Sequence, residues 1–138
     1  MCIRDRFKTV NVKQLALPEI FDSAVKLEKS NSKKSDTARV VASRSHMSLE
    51  TEQFIKNLEK QYGKVEVVSA GSSLKLCLVA ENSAEYYPRF APTMEWDTAA
   101  GDAVVTFSGG VVVEKDSGSP LKYNKESLLN PWFVAKKL

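Results

Sequence analysis

From residue 38 onward, short β-branched runs alternate with stretches of helical period, joined by brief connections. This alternation constrains the fold more than any other feature of the chain. ARVVAS (38–43) reads as a buried strand. Ser48 is placed to cap a helix, with Glu50 and Glu52 near the positive end of its dipole. Phe54, Ile55, Leu58 and Tyr62 share one face of that helix, and Gly63 ends it. KVEVVS (64–69) is a second strand, and the AGSS turn leads into an apolar helix over LKLCLVAEN. AEYYPRF is a third strand, in which Pro88 marks the end or a sheet edge. A third helix starts at TMEWD and runs through AAGDAVVTF to Gly109 and Gly110. VVVEK is a fourth strand, DSGSP a turn, and PLKY and PWFVAKK are short closing strands.

Such an order predicts an α/β domain over residues 38–138, a mainly parallel sheet flanked by helices. Residues 1–37 read as an irregular leading segment in which only FKTVNVKQL looks strand-like, and residues 30–36 are a linker by composition. A length of 138 residues suits one ordinary domain or one piece of a larger one. With 43% hydrophobic and 27% charged residues the composition is that of a globular chain. No stretch approaches the roughly 20 apolar residues of a membrane span, and no secretory signal is visible.

Net charge is only +3, which argues against a nucleic-acid polymer as partner. The basic cluster LEKSNSKKSD (27–36) interleaves no aromatic residue and reads as an exposed loop. Cys2 and Cys77 have neither zinc-site nor disulfide spacing, which favours a reducing, cytoplasmic compartment. With His46 as the one histidine, a bound metal would be held mainly by carboxylates and would be a hard ion such as Mg²⁺.

In open α/β sheets, ligands bind beyond the carboxyl ends of the strands. SRSH follows the first strand, AGSSLK the second and PRF the third, so three polar loops should converge on one edge. The Gly-Ser turn can present backbone N–H groups to an anion, and the Arg89 fork suits phosphate, although Walker A spacing is absent. Asp97 stands at a helix start, where it can cap the helix or ligate a metal, before the small residues Thr98, Ala99, Ala100 and Gly101.

Trp96-Asp97, Ala99-Ala100-Gly101 and Gly109-Gly110 resemble the second signature of the inositol monophosphatase superfamily. SRSH (43–46), GSSLK (71–75), YPRF (87–90) and LNPWF (129–133) narrow the resemblance to bacterial 3′(2′),5′-bisphosphate nucleotidases, over about residues 38–135. The resemblance implies the C-terminal half of a layered α/β sandwich and a cytoplasmic enzyme, at most peripheral at the inner membrane. It implies an enzyme dependent on two or three Mg²⁺ ions, inhibited by Li⁺, that removes a phosphate from adenosine 3′,5′-bisphosphate. The ions would activate a water for in-line attack and stabilise the leaving oxygen. By the same resemblance, Asp97 ligates a metal and contacts substrate, and Ser43 and His46 line the nucleotide pocket. Gly71, Ser72 and Lys75 surround the nucleotide and its second phosphate, with Arg89 near the same pocket.

The family's first signature, DP[IL]DG[ST], has no counterpart in the chain. Asp97 alone cannot hold two Mg²⁺ ions, since each needs several oxygen ligands. The expectation is therefore a C-terminal fragment, inactive alone, that lacks the N-terminal half of the same enzyme and exposes apolar surface where that half would pack. MCIRDR (1–6) fits nothing in the family and reads as non-native. Two alternatives stay open: an inositol- or sugar-phosphate monoesterase of the same superfamily, and a non-catalytic nucleotide-binding module.

Overall fold

A two-residue antiparallel pair, β1 (Phe7–Lys8) with β2 (Val25–Lys26), lies within the leading segment of the computed structural model, which describes residues 7–8, 24–27, 36–42, 47–71 and 74–138. The alternation expected from the sequence then follows. β3 (Thr37–Val41), α1 (Leu49–Tyr62), β4 (Lys64–Val68), α2 (Leu74–Ala80), β5 (Tyr86–Arg89), α3 (Glu95–Phe107), β6 (Gly110–Glu114) and β7 (Phe133–Lys137) succeed one another. Ser48 caps α1 by accepting the Thr51 N–H at 3.3 Å, and Gly63 closes it at φ +79° with its N–H on the Glu59 carbonyl. α2 is shorter than its apolar run. Asn82 turns the backbone to φ +63°, and the Ser83 and Ala84 amides fold back onto the Leu78 carbonyl.

Five strands form a mixed sheet in the order β4-β3-β5-β7-β6. β3 pairs parallel with β4 and β5, while β7 runs antiparallel between β5 and β6. Four strands thus share a direction. β7 opposes them because no helix carries the chain back after β6, and a return without a crossover must be antiparallel. β5 is a central strand and Pro88 lies within it, paired with Val134, so the proline marks neither an edge nor the last residue of the strand. β3 and β5 are in register only at Val40 and Tyr86, so Pro88 lies beyond their ladder, where a missing N–H breaks no bond to β3. PLKY is not a strand: Pro120 makes one bridge to Val113, Leu121 turns into the core, and Asn124 reverses the chain at φ +62°.

Alternate strand residues feed opposite faces. Val40 and Tyr86 join Ile55 and Leu58 of α1 on one face. Val41, Tyr87, Phe133 and Ala135 join Leu76 and Val79 of α2 and Val105 of α3 on the other. Gly101 lets α3 approach α2: a Cβ there would clash with the Leu76 side chain.

Candidate phosphate-binding site

The chain steps from β3 to β4 on one side, then from β4 to β5 on the other, so the strand order reverses between β3 and β5. Such a switch point opens a crevice at the carboxyl ends of the two strands. Two cavities occupy it. A small one of about 70 Å³ is bordered by Ala42, Ser48, Pro88 and Arg89. Beside it lies a cleft of about 400 Å³ lined by Lys75, Tyr87, Arg89, Thr93, Trp96 and Asp97. Lys75 and Arg89 border both.

Each charged side chain arrives from a different element. Lys75 comes from the first turn of α2, with its ammonium 5.7 Å from the centre of the Tyr87 ring. Burial, and secondarily the Arg89 guanidinium, hold this ammonium below the ordinary lysine value. Arg89 ends β5; its Nη2 donates to the Pro92 carbonyl at 3.3 Å, while its Nε is buried with no acceptor among the described residues. Tyr87 sits behind them, and burial pushes its hydroxyl up. Asp97 is exposed in the first turn of α3, where Oδ2 accepts the Met94 N–H at 2.8 Å. The capping role open to this aspartate is thus realised with one oxygen. An orphaned guanidinium N–H beside a partly buried ammonium has the chemistry to hold an anion.

Of the residues expected at the site, the structure brings Lys75, Arg89 and Asp97 into one cleft. Gly71 is exposed after β4 and lines neither cavity. Ser43, His46 and Ser72 lie outside the described residues. The supports of the cleft carry no local sequence signal of their role. Asn130 reaches the Thr98 hydroxyl, the buried Glu95 carboxylate accepts the Asn124 and Lys125 N–H groups and the Lys125 ammonium, and the Tyr123 hydroxyl donates to Asp102 at 2.7 Å. The LNPWF motif signalled the position of Asn130 but not its task. Trp96, quoted only as part of a motif, is 66% exposed on the cleft.

The described residues do not build a Mg²⁺ site by themselves. Asp97 offers a carboxylate with one oxygen already committed, and no cluster of three or more His, Cys, Asp or Glu side chains lies among them. A hard divalent ion needs about six oxygen ligands, of which waters and substrate supply only part.

The fold is a mixed α/β sheet flanked by helices, with a cleft lined by Lys75, Arg89 and Asp97 at its switch point. Residues 5–136 match the model of the inositol monophosphatase family, and the chain belongs to that family. It is similar to the 3′(2′),5′-bisphosphate nucleotidase CysQ of Escherichia coli (strain K12), with 50% identity over 95 residues, covering 68% of this chain and 37% of that protein. The nucleotidase CysQ of Buchnera aphidicola is 39% identical over 127 residues, covering 86% and 46%. The crystal structure of CysQ from Bacteroides thetaiotaomicron superimposes with a TM-score of 0.76 at 44% identity, covering 93% of this chain and 46% of that one. Staphylococcal IMPase-II shares the fold at a TM-score of 0.60 and 16% identity. The chain spans less than half the length of each of these nucleotidases. Among the described residues, no helix is long and apolar enough to cross a membrane.

Proposed function

We propose that this chain is the C-terminal half of a Mg²⁺-dependent phosphomonoesterase that hydrolyses adenosine 3′,5′-bisphosphate to AMP and phosphate. The observation that carries this reading is the convergence of Lys75, Arg89 and Asp97 in one cleft at the topological switch point. Lys75 and Arg89 bind phosphate oxygens: the guanidinium offers a directed fork and the ammonium a partly desolvated point charge. Asp97 contributes one ligand to a metal site completed by residues beyond those described. Ser43, His46, Gly71 and Ser72 belong to the nucleotide side of the same pocket. The Escherichia coli nucleotidase, identical to this chain at 50% of 95 aligned residues, supports the bisphosphate substrate over an inositol or sugar phosphate.

The outward faces of α2 and α3 expose Leu74, Cys77, Trp96 and Phe107, which supports a further layer packed over them in a longer protein. The 138-residue chain, given Mg²⁺ and adenosine 3′,5′-bisphosphate, is expected to bind nucleotide and release no phosphate. Co-expression with the N-terminal half of a bisphosphate nucleotidase should restore turnover, and Asp97→Asn should abolish it again. Robust hydrolysis by the isolated chain that survives Asp97→Asn would sink the mechanism. Turnover of a restored enzyme on inositol phosphates but not on the bisphosphate would replace the substrate.

A further inference from the structure

The first turn of α3 is held from outside the helix. Asn130, only 5% exposed, donates from Nδ2 to the Met94 carbonyl at 2.8 Å, to the Thr98 hydroxyl at 3.0 Å and to the Thr93 hydroxyl at 3.3 Å. Its backbone N–H donates to the Thr93 carbonyl at 2.9 Å, and Met94 bridges Leu129. A helix N-terminus leaves its first N–H groups without helical partners. Here the Leu128 carbonyl takes the Glu95 N–H at 2.9 Å. The Thr98 hydroxyl donates in turn to the Glu95 carbonyl at 3.2 Å. All these bonds land on residues 93–98, and the cleft is lined on this side by Thr93, Trp96, Asp97 and Thr98. Met94, held by Asn130 through its carbonyl, also holds Asp97 through its N–H.

We propose that Asn130 is a positioning residue of the phosphate cleft. By gripping Met94 and Thr98 it sets the first turn of α3, and so places Trp96 and Asp97 in the cleft that Lys75 and Arg89 line. The inference rests on the reading of that cleft as a phosphate site. The near-isosteric Asn130→Asp removes the Nδ2 donor and sets a carboxylate against the Met94 carbonyl. Thr98→Val removes the other end of the grip, and Thr98→Ser keeps the hydroxyl.

The test uses the 138-residue chain in solution, with amide exchange followed by NMR and adenosine 3′,5′-bisphosphate titrated against the Trp96 indole N–H signal. Loss of one buried hydrogen bond should speed exchange at the Met94 and Glu95 amides about tenfold in Asn130→Asp and Thr98→Val. The Val40 and Val68 amides of the β3–β4 ladder should keep their protection. The nucleotide dissociation constant should rise about three- to tenfold in both variants, with Thr98→Ser restoring it. Unchanged exchange and affinity would overturn the proposal, as would ladder amides losing protection in step with Met94, the mark of a merely structural residue. A wild-type Trp96 signal that ignores the nucleotide would remove the phosphate cleft and this role with it. A wild-type response that the variants reproduce would remove only the role of Asn130.

Discussion

On one face of the sheet a single amphipathic helix seals its layer. α1 sets Ile55 and Leu58 against Val40, and edge-on rings run from Tyr62 through Tyr86 and Phe54 to Phe90. On the other face α2 and α3 pack close enough that Gly101 meets the Leu76 side chain, and polar groups peg α3 to the segment around residues 123–130. The first face is held by area, the second by fit. Lys75, Trp96 and Asp97 all come from the second. Hydrophobic area tolerates small displacements, because its energy scales with surface removed from water. A close approach and a set of directed hydrogen bonds do not tolerate them, and a site that must place charges benefits from that intolerance.

Two substitutions should separate the faces. Leu58→Ala deletes a buried side chain of the α1 face and should cost about 2–5 kcal/mol of stability, read from denaturant unfolding. It should leave nucleotide affinity nearly unchanged, because α1 supplies the large cleft with no lining residue. Gly101→Ala places a Cβ against Leu76 and should cost about 1–3 kcal/mol. The smaller loss should nonetheless weaken nucleotide binding, since the clash pushes α3, which carries Asp97, away from α2, which carries Lys75. Calorimetric titration of both variants checks the contrast. Equal effects on affinity would erase the distinction between the faces.

The same contrast explains what could be read in advance. α1 was legible almost to the residue, because its signals are local: a serine cap, a 3.6-residue stripe and a terminal glycine. The direction of β7 was not, since antiparallel return depends on what does not follow β6 rather than on the run FVAKK itself. The missing N–H of Pro88 suggests a strand end or an edge, yet Pro88 lies within a central strand, because the sheet order that flanks β5 is set by long-range pairing. Lys75 and Arg89 could be gathered because three of the four co-directed strands deliver their loops to one edge, while Asp97 came with the family resemblance. Asn130, Glu95 and Tyr123 could not: each finds its partners 21 to 37 residues away, and no local period records such pairs.

Glu95 tests the pegs through pH. Its hydrogen bond with Lys125, helped by the Asn124 and Lys125 N–H groups, holds its carboxyl below the ordinary glutamate value. A group with a depressed folded pKa stabilises the fold above its unfolded pKa, and that contribution fades as pH falls through the folded one. Glu95→Gln should therefore lower the thermal midpoint most near neutral pH. The gap from wild type should close as pH falls into the acid range. A gap that stays constant from pH 7 to strongly acidic solution would assign the effect to packing.

Lys75 gives the smallest effect and the sharpest sign. Its folded pKa lies below the ordinary lysine value, so between the two values the unfolded chain binds more protons than the folded one. Stability from this group therefore rises with pH across that window. An anion bound beside the ammonium favours its charged form and draws a proton back. Nucleotide affinity should thus fall with rising pH through the same window in which stability gains. Lys75→Gln should weaken binding about tenfold at neutral pH, as expected for one charge-assisted bond, and should flatten both alkaline slopes. The Arg89 fork keeps residual binding in place. Slopes of the same sign for stability and affinity in the wild-type chain would mean that Lys75 does not face the bound phosphate. Opposite slopes that both vanish in Lys75→Gln would fix the α2 side of the cleft as the one that grips the anion.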